Sequence, residues 1–382
     1  MKIKISSIMA FLIYHVIFIS LYYVPKYSLL VYIFCGILLV MLCCKIKYFI
    51  NKRYSKVNIL IFSFVAMILF SAFYNRVNMQ RGIIYAVKVL EIFLFWEYVH
   101  QKNEQKIVVK VFLYLTVFYL IITDILLFIS PNLYKNNSRN YLIGNKFYVS
   151  YLHILLLIFY SYYKSSRNDI MVKCVKFFLF VWAIVIAFVT GCSTAITGCA
   201  LILLLKLIIK KKNIKDLSNP KPFMITLFVS CSLLLCFSGI LHTKPIKFLI
   251  VNVLHEDLTL TGRLYIYEND FDIISEKLFL GHGYGNSYDV MYSAIKAPNT
   301  QNALLECLLN FGILGTIALL LIMYRIFKDY NKCNEMDSII IYLYVFSILG
   351  MIEITINITF IALLAMLNNG KINSLVGEKI EK

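Results

Sequence analysis

Apolar residues in this chain come in long runs broken by short polar stretches. Neither a half-buried strand, which alternates every two residues, nor a surface helix with one apolar stripe produces that pattern. Twelve runs stand out, with cores at 8–24, 28–43, 58–74, 83–99, 108–130, 147–163, 175–190, 194–209, 223–241, 303–323, 338–356 and 358–368. A helix of about 20 such residues crosses a hydrocarbon layer of about 30 Å, and it satisfies its own backbone on the way. The last run is short and reads as a half-helix that turns back at Asn357. The expected fold is all-α: a polytopic transmembrane helical bundle of 11–12 spans, forming a single integral membrane domain over 1–382. A membrane barrel would need short alternating segments, and there are none. The first run, from about Ile8, reads as a retained signal-anchor, because no small-residue cleavage site follows it.

The polar stretches set the orientation. With the N-terminus in the cytoplasm, inner segments collect Lys45, Lys47, Lys52, Arg53 and Lys56, then Lys164, Arg167, Lys173 and Lys176. Lys206, Lys210, Lys211, Lys212, Lys215 and Lys221 follow. This is the lysine and arginine bias of cytoplasmic loops. It puts two larger loops outside the cell membrane, 131–146 and 242–302. Composition agrees: 60% of residues are hydrophobic and 15% charged, against about 25% charged in ordinary soluble domains. The net charge of +18 does not indicate nucleic acid as a partner, because the basic residues sit in inter-helix loops and no soluble module exists to hold it. Ten cysteines are scattered, mostly within apolar runs, with no metal-ligand spacing. They read as small buried hydrophobes.

Chemistry-bearing residues concentrate in the late loop. Residues 242–260 are mixed in character. Residues 263–280 have helical spacing, with Leu264, Tyr267, Phe271, Ile274 and Leu278 on one stripe and Thr261 placed to cap. Arg263 would then stand in a first turn whose N–H groups attract anions. It reads either as a phosphate ligand or as a surface arginine snorkelling at the headgroups. Glu268 and Asp272 share a helix face, as an acid/base pair or as a solvated surface. The turn GHGYG follows, with Gly281, Gly283 and Gly285 able to expose backbone N–H groups. Its His282 is a candidate proton acceptor.

The earlier outer loop, SPNLYKNNSRNYLIGNKF, offers Arg139 and Lys146 as further anion ligands. Charged residues inside the apolar runs include Lys88 and Glu91, three apart, then Asp124, Glu306 and Glu353. Charges at such depth are costly and face polar cavities. Glu306 follows Asn302 by one turn, so both can face one crevice. No Walker-type loop and no haem or flavin motif is present.

TGRLYIYENDFDIISEKLFLGHGYGNS followed by QNALLECLLNFGILG resembles the signature of the O-antigen ligase and Wzy polymerase family. That signature is an Arg-hydrophobic stretch, a Gly-x-Gly-x-Gly turn, a His-Asn pair and a helix closing in Gly-Ile-Leu-Gly. The matching positions are Arg263, then Gly281, Gly283 and Gly285, then Gln301 and Asn302, then Gly312 and Gly315. TGCSTAITG at 190–198 looks like the family's small-residue helix start, and RNYLIGNKFYVSYLHILL looks like its earlier outer loop.

The resemblance implies a polymerase of polyprenyl-diphosphate-linked oligosaccharide repeat units, for capsule, exopolysaccharide or O-antigen, at the outer face of a bacterial plasma membrane. It implies glycosyl transfer with no metal, no nucleotide sugar and no cofactor. The implied partners are the lipid-linked oligosaccharide, membrane lipid, a flippase and a chain-length regulator. Arg263 and Arg139 would carry the diphosphate charge, with Lys146, Gly281, Gly283, Gly285, Gln301 and Asn302 around the substrate. Where the family often has His, this chain has Gln301, which cannot act as a base. His282, Glu306 and Glu268, in that order, are the replacements. The alternatives are an O-antigen-type ligase and a flippase or transporter of lipid-linked oligosaccharide. A flippase would show similar halves and many charges along several helices; this chain has few intramembrane charges and no visible halves.

Overall fold

The computed structural model describes residues 4–21, 23–45, 55–130, 140–165, 167, 169–211, 217–236, 247–248, 251–252, 262–330 and 336–368. Each of the twelve apolar runs holds a helix. In chain order these are α1 (Ile5–Ile17), α2 (Tyr27–Cys43), α3 (Ser55–Asn75), α4 (Met79–Gln101) and α5 (Gln105–Ile129). After a two-stranded hairpin, β1 (Asn140–Tyr141) and β2 (Gly144–Asn145), come α6 (Lys146–Tyr163), α7 (Ile170–Val189), α8 (Ser193–Lys211) and α9 (Pro220–Cys236). The late loop holds α10 (Arg263–Ser275) and α11 (Ser287–Ile295). The chain then forms α12 (Ala303–Asp329), α13 (Asp337–Leu349) and α14 (Ile358–Asn368).

Four stretches, Lys56–Asn75, Gln105–Ile129, Ile170–Val189 and Ala303–Asp329, are long and apolar enough to cross a membrane. Their outward faces carry Phe62, Phe70, Ile121, Phe128, Phe177 and Phe178, each at least half exposed. So much exposed apolar surface suits lipid rather than water. The centre is the opposite case. α13 and α14 are apolar all round and buried all round, as helices enclosed by other helices must be. Around them pack α4 and α12 against α14, and α8 and α9 against α13. The whole is a multi-helix bundle with the character of a polytopic membrane protein.

Polar groups inside the bundle tie helices together. Asp124 of α5 accepts from Trp182 Nε1 of α7 at 2.8 Å and lies 3.2 Å from His153 Nε2 of α6. Lys88 donates to the Val16 carbonyl (3.1 Å) rather than to Glu91.

Two expectations about these elements change. α13 ends at Leu349, so Glu353 lies in the turn between α13 and α14 and not within a span to 356. The buried face of α10 is Ile266, Tyr267, Asp270, Ile273 and Ile274, while Phe271 and Leu278 face outward. That face packs on Leu305 and Leu309 of α12, Met291 of α11 and Leu234 of α9. It is rotated from the expected stripe because α10 buries itself against the loop's own partners and leaves bulky residues outside.

Candidate functional site

Five connections meet at one end of the bundle: the α3–α4 turn, the β-hairpin, the α7–α8 turn, the 262–302 loop and the α13–α14 turn. The topology read from charge puts all five on the same side. Side-chain amides do much of the joining. Asn75 Nδ2 donates to Gly281 O (3.0 Å), and its Oδ1 accepts from Lys277 Nζ (2.6 Å). The buried Asn286 donates to Val77 O and His282 O and accepts from Asn78 Nδ2.

The glycine turn is a splint for a broken helix. α12 is interrupted at Gly312, whose φ of 63° and ψ of −172° are not helical. A break leaves carbonyls and N–H groups without helical partners, and at depth these must be satisfied. Residues 278–283 supply the partners. His282 N donates to Leu309 O (2.7 Å) and Gly283 N to Asn310 O (3.2 Å), while Ile313 N donates to Leu278 O (2.9 Å). A Cβ at Gly281 or Gly312 would strike the other segment's backbone, and both have positive φ. The Gly283 N–H, expected to be exposed, is therefore given to α12, as is that of His282. Of the three turn glycines, Gly285 lines a cavity.

Arg263 opens α10 behind Gly262, with Thr261 outside the described residues. Its Nη2 lies 2.9 Å from Glu353 Oε1, and its Nε donates to Gln301 Oε1 at 3.4 Å. The ion-pair side chains are only 15% and 13% exposed, so solvent screens them less than a surface pair. Gln301 adopts φ 52°, an uncommon conformation for a residue with a side chain. Asn299 holds it there, its Oδ1 accepting from both Gln301 N (3.0 Å) and Gln301 Nε2 (2.6 Å). The Tyr267 hydroxyl donates to Met351 O (2.7 Å) and lies 3.1 Å from Gln301 O. Ala303 N donates to Gly350 O (2.8 Å). Arg263, Gln301 and Glu353 are thus locked in one cluster by three segments distant in sequence.

Gln301 and Glu353 of this cluster line a cavity of about 380 Å³. Its polar lining includes Asn145, Asn299, Gln301, Glu353 and Asn357; its wall has Leu152, Leu155, Tyr342 and Phe346. Lys146 stands at the start of α6 beside the lining residues Asn145 and Phe147, its Nζ donating to Gly191 O (3.0 Å). The cap that starts α6 is Asn145, accepting from Phe147 N and Tyr148 N.

A second cavity, of about 410 Å³, abuts the first and shares Asn299, Ile354 and Asn357 with it. Glu306 lines it, fully engaged: Oε2 accepts from Thr300 Oγ1 (3.0 Å) and Thr300 N (3.3 Å), and Oε1 from Asn310 Nδ2 (2.8 Å). Asn302 is buried, capping α12 through Leu304 N and Leu305 N and donating to Cys231 O (2.9 Å). Asp270 is buried near Glu306, with no hydrogen-bond partner for either oxygen among the described residues. Burial, then the Glu306 charge, push its carboxyl up to about 8.

The predicted site residues therefore divide. Arg263 and Gln301 come together, and Lys146 stands between two residues that line the same cavity, Asn145 and Phe147, without lining it itself. Glu306 and Gly285 line the neighbouring one. His282 is buried away from both linings, with Nε2 3.0 Å from Ile273 O. Glu268 and Asp272 are exposed on the outer face of α10. Arg139 lies outside the described residues. Reading the sequence did not single out Glu353 as a partner of Arg263, nor Asn299, Asn357 or Arg81. For Glu353 the signal was present as a carboxylate in an apolar run, between Gly350 and Asn357.

A family model described as O-antigen ligase matches residues 178–320, from within α7 to within α12. The match takes in Arg263, the glycine turn, Gln301 and Asn302, and stops short of Glu353. No curated protein matches the chain. Over those residues, fewer than half of the chain, it is similar to O-antigen ligases. Match and helical architecture together are consistent with a polysaccharide-related membrane enzyme family.

Proposed function

We propose that the chain transfers a glycan from a polyprenyl diphosphate to a sugar hydroxyl at the outer face of the membrane, and so polymerises lipid-linked oligosaccharide repeat units. The observation that carries this reading is the first cavity. It joins an apolar wall suited to a polyprenyl chain to polar lining residues, two of which, Gln301 and Glu353, hold Arg263. A lipid diphosphate has the same two-part character.

Arg263 holds the diphosphate, with its planar fork suited to phosphate oxygens. Lys146 adds positive charge from the start of α6, and Arg139 is kept as a second anion ligand on its sequence alone. In the transfer, the acceptor hydroxyl oxygen bonds to the anomeric carbon while the bond from that carbon to the diphosphate oxygen breaks. The bonding pair leaves on the diphosphate, whose growing charge Arg263 stabilises. Electrostatic help of this kind is worth several kcal/mol per well-placed donor, about 2.7–4 in measured cases.

The hydroxyl proton needs an acceptor, and Gln301 cannot be one. Glu353 occupies the position: a carboxylate on the first cavity, paired with the arginine that the diphosphate must engage. As the diphosphate takes over the guanidinium, Glu353 is released to accept the proton. Gln301 orients the acceptor. Glu306 is less well placed, because three donors already occupy its oxygens and it faces the second cavity.

Gene deletion tests the reading. Loss of the polymerase leaves single repeat units reaching the surface, seen as the lowest band of an extracted-glycan gel. Lipid-linked units trapped inside would instead indicate a flippase, and an unchanged ladder would refute any role in assembly.

A further inference from the structure

The second cavity is unused by the step described above, and its chemistry differs from that of the first. Tyr85 and Tyr284 stack with ring centroids 3.7 Å apart, and Phe311 lies nearly parallel to Tyr284. All three rings line the cavity, and Tyr288, 54% exposed, stands in the same lining. Two of its polar residues are buried and incompletely satisfied: Ser287 Oγ and Asn310 Oδ1 have no hydrogen-bond partner among the described residues. Buried polar atoms left in that state are unusual and cost about 1–3 kcal/mol each. A ligand hydroxyl would relieve either. The charged residues lining the cavity are Arg81, which donates to Gly285 O (3.1 Å), and Glu306. Their charges cancel, so the cavity does not select an anion. Aromatic faces, amides and an unpaired hydroxyl suit the apolar C–H faces and hydroxyl rim of an uncharged sugar. The volume is within the range of small-molecule sites, about 300–1,000 Å³.

We propose that this second cavity is the saccharide subsite that seats the sugar bearing the attacking hydroxyl, which reaches the first cavity across the shared residues Asn299 and Asn357. The proposal rests on the transfer reading above and deepens it by naming a second ligand class and the residues that take it. Tyr288 supplies a stacking face, and Ser287 and Asn310 read the hydroxyl pattern.

The test uses the full chain in lipid nanodiscs and two separate probes. One is undecaprenyl diphosphate, whose binding reports the first cavity. The other is the delipidated repeat-unit oligosaccharide of the source strain, followed by its direct binding and by its inhibition of elongation. Tyr288→Ala should weaken oligosaccharide binding and inhibition by at least about tenfold and leave undecaprenyl diphosphate binding unchanged. Tyr288→Phe should restore both, because it keeps the ring. Ser287→Ala should weaken the oligosaccharide selectively as well, and checks the result at a second position. Unchanged oligosaccharide binding in Tyr288→Ala and Ser287→Ala, with normal elongation by the parent protein, would overturn the subsite alone. A parent protein that binds no undecaprenyl diphosphate and elongates nothing would overturn the transfer reading, and the subsite with it.

Discussion

Replacing Glu353 with glutamine separates two roles that the structure superimposes. The carboxylate lies 2.9 Å from Arg263 Nη2, with both side chains largely shielded. At about 4 Å between charge centres and an effective dielectric near 20, their attraction is about 4 kcal/mol before desolvation is counted. A diphosphate arriving at Arg263 has to compete with it. Glutamine keeps the shape and an acceptor oxygen, but turns a charge-assisted hydrogen bond, worth about 1.5–3 kcal/mol, into a neutral one of about 0.5–1.5. The loss of roughly 1.4 kcal/mol of competition predicts undecaprenyl diphosphate binding up to about tenfold tighter. The proton acceptor is lost with the charge, so elongation should fall by about 10²–10⁴-fold. Binding is read on nanodisc-embedded protein with the labelled lipid, and elongation on a glycan gel with lipid-linked units. Tighter binding with slower transfer is the expected pair of results. Parallel loss of both would make Glu353 only a clamp for Arg263, and wild-type elongation would remove it from the chemistry.

Three further outcomes follow from the geometry. Asp270 carries a carboxyl pushed up to about 8, above its ordinary value near 4. The folded protein then holds a proton that the unfolded chain has released, and stability falls as pH rises from about 4 to 8, by at most about 1.4 kcal/mol per pH unit. Asp270→Asn should flatten the dependence of melting temperature on pH across that window, and an unaltered slope would reject the assignment. Gly312→Ala should destabilise the protein by at least about 1–2 kcal/mol from the left-handed backbone alone, lowering the melting temperature and speeding tryptic cleavage at Lys277; an unchanged melting curve would refute the splint. Ser293 is exposed on α11, so Ser293→Cys should react with an impermeant thiol reagent on intact cells above the parent protein's background, whereas reaction only after lysis would invert the proposed orientation.

The helices were legible in the sequence because lipid-facing and core-facing apolar residues both contribute to the same long runs. The same property hid what lies inside them. The run 338–356 gives no sign that its helix stops at Leu349 and releases Glu353 into a turn, since Met351, Ile352 and Ile354 are as apolar as the helix before them. Gly312 and Gly315 read as the close of a helix, and the break at Gly312 became visible only with residues 278–283 beside it. Arg263 could be singled out because charge at a helix start is a local property. Its partner 90 positions away is a tertiary fact that no local spacing encodes. Arg81 escaped notice for a related reason: at the start of an apolar helix it looks like an interfacial anchor, and only its bond to Gly285 places it at the second cavity.

The most direct measurement is elongation of polyprenyl-diphosphate-linked repeat units by purified protein in nanodiscs, comparing the parent chain with Arg263→Ala. Circular dichroism and melting temperature show whether each preparation is folded. The account predicts a ladder of products from the parent and single units from folded Arg263→Ala, with weakened undecaprenyl diphosphate binding. A folded Arg263→Ala protein that builds the ladder at the parental rate would contradict it.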